Sequence, residues 1–387
     1  MKITRFNSDM GNSMYMNYIN GVFFEIPTNV VELSKAESEE VFTNSIDDPK
    51  DLIDRLLIST EIDGEEKYYL VGEIANNHIF GNRHINKLHN KVTSPIPLVM
   101  FLAATAFFKK LNEEDDDTDE VHIELFQTML PIWLLKKLNK FSEMQDLMSQ
   151  RFKGTHTVKI LTLGMESEIT ITVEEALCRI ESEVARMGIK KGLDLADKKE
   201  AKKYDEHYTV IFDMGGGTDD AVLLPPGLKS PTSKDSFIPF TDYSYLQHLE
   251  ELRKSKLAEH FSDLRSLDKF IYSYSKKEKM ELINGVTGEA TDLTDVIKAS
   301  LKDYAKIKIT QAIEAFPIPK GTFYKYLYIG GVAEILQPYI EEVAIEMFGK
   351  DLASANHIVP PNARTLNIDG LEIISRDIEQ KRLNASK

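Results

Sequence analysis

Cysteine is almost missing from this 387-residue chain. Cys178 is the one thiol, so no disulfide can form within the chain, and a reducing cytoplasm is the expected compartment. No run of about 20 apolar residues occurs, so neither a membrane-spanning helix nor a membrane partner is expected. The opening Met1-Lys2-Ile3-Thr4 leads straight into mixed polar and apolar sequence, without the apolar core of a secretory leader. Positive charge is also short, with 47 Lys and Arg against 62 Asp and Glu and a net charge of −15. Such a surface repels a polyphosphate backbone and argues against direct binding to nucleic acid. The densest basic cluster, Lys198, Lys199, Lys202 and Lys203, reads as a solvated linker. No repeat of solenoid period is present.

What remains is an ordinary globular composition, 42% apolar and 28% charged, with a mean hydropathy of −0.28. At roughly 150 residues per domain, the length suits two or three domains. Residues 2–8 read as a strand ending at Asp9. Residues 14–24 read as a strand region split by the hairpin signal Asn20-Gly21. Further strands are expected at 66–75, 121–127, 157–163, 168–173, 208–212, 221–224 and 326–329. Pro225-Pro226-Gly227 stops the sixth of these. Helices are expected at 96–110, apolar on most faces and so buried, at 131–150 with Pro131 in the first turn, and at 332–348. Residues 243–315 read as mostly helical, and 174–187 fits strand and helix equally. Glu113 to Glu120, with seven acids in eight residues, reads as an exposed loop with a weak claim to a divalent ion, since it lacks calcium-loop spacing. Residues 188–204 read as the linker between two halves.

Three turns carry chemistry. In Thr209-Val210-Ile211-Phe212-Asp213-Met214-Gly215-Gly216-Gly217-Thr218 an apolar strand delivers an aspartate to a glycine turn. Glycines there allow positive φ and let backbone N–H groups converge on an anion. A carboxylate beside a phosphate repels it unless a cation intervenes, and magnesium held through water by Asp213 resolves the conflict. Asp9-Met10-Gly11-Asn12-Ser13 repeats the pattern 204 residues earlier, and two such hairpins facing each other would clamp a phosphate chain and one magnesium. In Tyr326-Leu327-Tyr328-Ile329-Gly330-Gly331 a strand ends in two glycines at a helix start, which suits a base or ribose, or close helix–strand packing.

The segment Asp213 to Asp220 resembles the second phosphate motif of the actin, heat-shock chaperone and sugar kinase superfamily at every fixed position. Asp9 to Ser13 resembles the first phosphate motif and Ile329 to Ala333 the adenosine motif. Lys67 to Ala75 resembles the Tyr-x-Val-Gly-Glu-x-Ala stretch of bacterial plasmid-segregation actins of the ParM, StbA and Alp type. Phe23 to Thr28 resembles a strand of the same proteins. The resemblance implies an α/β actin-like fold, with two ribonuclease-H-type domains around a nucleotide cleft. Domain I would span 1–200, with 340–387 returning to it, and domain II 205–339. It implies an ATPase that polymerises into filaments and segregates plasmid or phage DNA through a ParR-like DNA-binding adaptor. Its cofactors would be magnesium and ATP, with GTP the alternative nucleotide. The nucleotide would meet Asp9, Gly11, Asn12, Ser13, Asp213, Gly215, Gly216, Gly217, Thr218, Gly330 and Gly331. Asp9 and Asp213 would hold the metal through water. Glu181 best matches the carboxylate that positions the attacking water, with Glu183 second, and both also read as surface acids. Many relatives carry a lysine where this chain has Met16, so the cation that meets the phosphates would come from elsewhere or charge neutralisation would rest on magnesium, which argues against fast hydrolysis and strict ATP preference. Arg253, Lys254, Lys256 and Lys269 are candidates for other nucleotide contacts. The rival readings are a small-molecule kinase, for which no base motif is evident, a chaperone-type ATPase, which the length excludes, and a nucleotide-binding filament with little turnover.

Overall fold

The computed structural model describes residues 1–77, 90–112 and 118–385. The chain forms two compact units, one of Met1–Ala196 with Ile368–Lys387, the other of Asp197–Asn367. The boundary falls inside the charged 188–204 stretch. The chain rejoins the first unit at Ile368, later than the expected residue 340. No helix among the described residues is long and apolar enough to cross a membrane.

The first unit holds β1 (Lys2–Ile3), β2 (Phe6–Met10), β3 (Met14–Ile19), β4 (Val22–Pro27), β5 (Val30–Leu33), β6 (Leu56–Ile62), β7 (Glu65–Val71), β8 (Glu120–Leu130), β9 (Gly154–Ile160) and β10 (Ser167–Ile180). They form one sheet in the order β4-β3-β2-β8-β10-β9-β6-β7-β5, with β1 also on β8. β2, β3 and β4 are antiparallel neighbours, whereas β2, β8 and β10 run parallel. Its helices are α1 (Lys35–Glu39), α2 (Glu73–Asn77), α3 (Ile96–Leu111), α4 (Ile132–Leu138), α5 (Phe141–Phe152) and α6 (Ala185–Lys190). Asn20 (φ 48°) and Gly21 (φ 85°) both turn left-handed between β3 and β4, as a two-residue hairpin demands. α3 is buried nearly all round, as its composition predicts, and Phe101 in it packs edge-on to Phe126 and Phe152.

Some elements depart from the sequence reading. The strand expected at 66–75 ends at Val71, because Gly72 (φ +80°) swings the chain into α2. The helix expected at 131–150 is two helices, because Asn139 (φ 49°) closes α4 in the left-handed conformation that asparagine tolerates. Pro131 caps α4 from extended backbone and is not part of its first turn. β10 continues through the undecided region to Ile180. The first five residues of the acidic run, 113–117, lie outside the described residues, and so does the ion site it suggested.

The second unit holds β11 (Thr209–Met214), β12 (Asp219–Leu224), β13 (Phe237–Phe240), β14 (Glu281–Ile283), β15 (Ala290–Asp292), β16 (Lys325–Ile329) and β17 (His357–Ile358). Five of these make a sheet ordered β13-β12-β11-β16-β17, antiparallel on the β12 and β13 side and parallel on the β16 and β17 side. That is the topology of β4-β3-β2-β8-β10, so both units repeat one five-stranded plan. The helices are α7 (Tyr245–Lys256), α8 (Leu264–Tyr274), α9 (Thr294–Glu314), α10 (Gly331–Phe348) and α11 (Lys350–Asn356). Inside the stretch read as mostly helical, β14 and β15 pair as a hairpin. Asn284 makes its turn, with its side-chain oxygen accepting from the N–H groups of Val286 and Thr287.

The chain closes with α12 (Leu366–Ala385). Within the first unit it is anchored by Glu372, which is fully buried. This carboxylate accepts from Asn7 Nδ2 at 2.7 Å, Arg5 Nε at 3.1 Å and Arg376 Nε at 2.7 Å. Gly370 lets the helix pack closely on the residue that caps α6, since a Cβ there would sit 2.2 Å from the Val184 carbonyl oxygen.

Candidate functional site

In the second unit Asp213 lies at the end of β11, level with Asp220 on β12 and Ile329 on β16. Asn367 Nδ2 donates to its Oδ2 at 2.7 Å. Gly215 to Thr218 form the turn, closed by the Gly215 N–H donating to the Thr218 carbonyl at 3.0 Å. The Leu246 N–H at the start of α7 donates to the Gly216 carbonyl at 3.0 Å, docking that helix on the turn. The glycines serve a different need from the one expected. None of Gly215, Gly216 and Gly217 has positive φ. Gly215 is required by space, since a Cβ there would lie 2.6 Å from the Thr218 carbonyl oxygen.

Gly330 meets both needs. Its φ is +92°, and an added Cβ would lie 2.5 Å from the Met214 carbonyl oxygen and 2.6 Å from Asp213 Oδ1. It therefore brings the start of α10 against the Asp213 carboxylate. Gly331 is exposed, and a Cβ there would meet nothing within 4 Å. Asp213, the Gly215–Thr218 turn, Gly330, Gly331 and Asn367 thus share one end of this sheet. Asn367 escaped the sequence reading, because nothing local marks an asparagine 154 residues away as the partner of Asp213.

Below the turn lies a buried ion pair. Asp219 and Lys308 are both buried, with Lys308 Nζ 2.7 Å from Asp219 Oδ2. Lys308 also donates to the Tyr243 carbonyl and Gln311 Oε1, each at 2.9 Å, and sits 4.8 Å from the centre of the Tyr304 ring. Burial pushes the Asp219 carboxyl above the ordinary carboxylate range, against the pull of Lys308. Arg253 and Lys254, two of the candidates for nucleotide contacts, pair with Glu250 at 2.7 Å and 3.1 Å.

In the first unit the turn between β2 and β3 copies the other in detail. Asp9 pairs with Met16 as Asp213 pairs with Asp220. A Cβ on Gly11 would lie 2.6 Å from the Met14 carbonyl oxygen, the same clash that Gly215 avoids against Thr218. Thr28 braces the turn, its hydroxyl donating to the Gly11 carbonyl at 2.7 Å and its N–H to the Ser13 carbonyl at 2.9 Å. Asn12 is half-buried and Ser13 exposed at the tip. Met16 is buried in an apolar cluster with Met129, Val184, Ile368 and Leu371.

Glu181 follows the last residue of β10. Asn7 pairs with Gln127, and Gln127 with Leu177. β8 and β10 end level, with Leu130 opposite Ile180, and β2 runs parallel to β8. Glu181 therefore leaves the sheet at the same end as the Gly11 turn. Carboxyl ends of parallel strands are where open α/β sheets place ligands. Neither acid is a loose surface group. Lys91 Nζ binds Glu181 Oε1 at 2.7 Å, and Arg186 Nε binds Glu183 Oε1 at 2.6 Å. Ser182 between them is fully buried, with φ 67°. Burial, reinforced by the Glu181 charge, pushes the Cys178 thiol far up, so it is a packing residue.

Comparison with known proteins sets these turns in context. The family model of the Alp7A C-terminal domain matches residues 208–363. The crystal structure of the actin-like protein Alp7A is 56% identical, with a TM-score of 0.94 over 100% of this chain and 99% of that one. A 15-stranded ParM filament from Clostridium botulinum matches at 18% identity and a TM-score of 0.66, covering 97% of this chain and 100% of that one. Bacillus thuringiensis ParM with ATP matches at 15% identity and a TM-score of 0.66, covering 98% and 99%. At such identities the two ParM likenesses are of fold. No curated protein sequence matches the chain.

Proposed function

This chain belongs to the family of the actin-like protein Alp7A, and from that premise we propose that it is an actin-like ATPase that polymerises into filaments and segregates plasmid DNA. The observation that carries the reading is the repeated turn. Two hairpins, Asp9–Ser13 and Asp213–Thr218, end equivalent strands and share one steric signature at Gly11 and Gly215. A fold that builds the same tight aspartate–glycine turn twice supplies two backbone cradles for a polyphosphate. Among solved structures of the same fold, one is a ParM filament and another is ParM with ATP.

The nucleotide's phosphates would meet the N–H groups of both turns, and Gly330 and Gly331 would offer the base and ribose a wall free of side chains. Among the described residues no group of three or more His, Cys, Asp or Glu forms a metal cage. Magnesium would be held by Asp9 and Asp213 through water and by the phosphates themselves. Bound there, magnesium would neutralise charge on the transferred phosphoryl group. Glu181 would orient the attacking water, a role that needs only a well-placed carboxylate. The chain's net charge of −15 favours a separate basic adaptor between filament and DNA. A second reading, a nucleotide-binding filament with little turnover, draws on Met16. Its side chain lies among apolar residues and offers the phosphates no cation.

The test is sedimentation with ATP and magnesium, paired with phosphate release. Filament formation should move the protein into the pellet and raise light scattering, and Asp213→Ala should abolish magnesium-dependent nucleotide binding. A wild-type protein that stays in the supernatant at high concentration with every nucleotide tried would falsify the filament reading. Pelleting without phosphate release would select the low-turnover alternative.

A further inference from the structure

We propose that Lys91 is a positioning residue for hydrolysis, holding the Glu181 carboxylate in place. The inference rests on the reading of Glu181 given above. Lys91 is buried, with a side chain only 7% exposed, and Nζ lies 2.7 Å from Glu181 Oε1 across 90 residues of sequence. The backbone that carries it is itself pinned. Arg151 Nη1, from α5, donates to the Lys91 carbonyl at 3.0 Å and to the Val92 carbonyl at 2.9 Å. Asn90 closes the turn, its Oδ1 accepting from the Val92 N–H at 3.0 Å. On the other side the Glu181 N–H donates to the Leu130 carbonyl at 3.0 Å, fixing the backbone of the acid at the end of β8. Glu181 is thus held at its backbone by the sheet and at its carboxylate by a lysine whose own segment is anchored to a helix.

Glu183 contrasts with this. Its partner Arg186 is three residues on, within the same stretch of chain, so that pair ties no distant segment to the acid. A buried ion pair between distant segments costs desolvation and is weak evidence of stabilisation by itself. What it supplies here is a carboxylate with one oxygen fixed. Holding such a group in productive geometry is what water activation requires, and small misplacements are costly.

The experiment measures kcat and KM for magnesium-dependent phosphate release in the wild type, Lys91→Met, Lys91→Arg, Glu181→Gln and the double variant Lys91→Met/Glu181→Gln. Lys91→Met should lower kcat roughly 10- to 100-fold with little change in KM, and Lys91→Arg should recover most of it. In the Glu181→Gln background Lys91→Met should have no further effect, because its influence passes through the carboxylate. An equal loss in both backgrounds, or an unchanged kcat in Lys91→Met, overturns the inference. If Lys91→Met fails to fold by circular dichroism, Lys91→Gln and Lys91→Arg carry the same comparison. Wild-type protein that binds ATP yet releases no phosphate overturns the ATPase reading instead, and a normal rate in Glu181→Gln removes the acid on which Lys91 was argued to act.

Discussion

Gly330 and Gly331 are adjacent and answer to different constraints. Gly330 has a left-handed φ and faces the Met214 carbonyl and the Asp213 carboxylate at distances no Cβ tolerates. Gly331→Ala meets open space at the first residue of α10, where alanine is the better helix former. Gly330→Ala should therefore destabilise the protein by several kcal/mol, on the scale of strained backbone plus clash. Gly331→Ala should leave stability unchanged or raise it by up to about 1 kcal/mol, read as a level or slightly higher thermal midpoint. If nucleotide lies against Gly331, the stable Gly331→Ala protein should still bind more weakly in a fluorescent-nucleotide titration, and wild-type affinity would show that this open space is not used. At this scale the sequence marks the turn by its local pattern but not the reason its glycines are there. Asp213 to Thr218 stood out from local pattern alone, but positive φ was the wrong reason for its glycines. Crowding by Thr218 depends on the closed hairpin, which a list of residue types does not contain.

Between elements, the Gly215–Thr218 turn is tied to α9 by Asp219 and Lys308. No local pattern announces this pair, because 89 residues separate partners that only the fold brings together. A period of 3.6 shows that α9 has a buried face, yet says nothing of which lysine on it will be swallowed. Asp219→Asn should cost about 3–5 kcal/mol, since it leaves the Lys308 charge buried without its counter-ion. Asp219→Leu combined with Lys308→Met should recover most of that stability in urea unfolding. A double variant as unstable as Asp219→Asn alone would mean that shape at this joint, and not charge balance, decides its stability. The other element-level differences have the same origin. The 131–150 helix was split by one asparagine in a rare conformation. The β14–β15 hairpin was hidden in a charged stretch, although Asn284-Gly285 carried its turn signal.

For the molecule as a whole, the repeated strand order of the two units was legible only as an echo between two Asp-x-Gly turns, because sheet order is set by pairing partners far apart in sequence. The return of the chain end was legible only through resemblance, and its physical cause is Glu372. This acid is fully buried among Arg5, Asn7 and Arg376, with Ser375 also taking a hydrogen bond from Asn7 at 2.8 Å. Gln127 extends the network by donating to Asn7 Oδ1 at 3.1 Å and accepting from Arg179 Nε at 3.2 Å. The network thus joins β2, β8, β10 and α12, the same strands whose ends carry Asp9 and Glu181. Glu372→Ala should leave two guanidinium groups facing a cavity without their shared carboxylate, at a cost of about 3–5 kcal/mol. Because the damage is confined to the first unit, the second unit's β11–β16 register and its Asp213 turn should persist. Hydrogen exchange checks this directly. Amides of β2 and α12 should lose protection in Glu372→Ala while those of β11 and β16 keep theirs. Equal loss across both units would show that the units unfold as one cooperative body and that α12 is a seam of the whole chain.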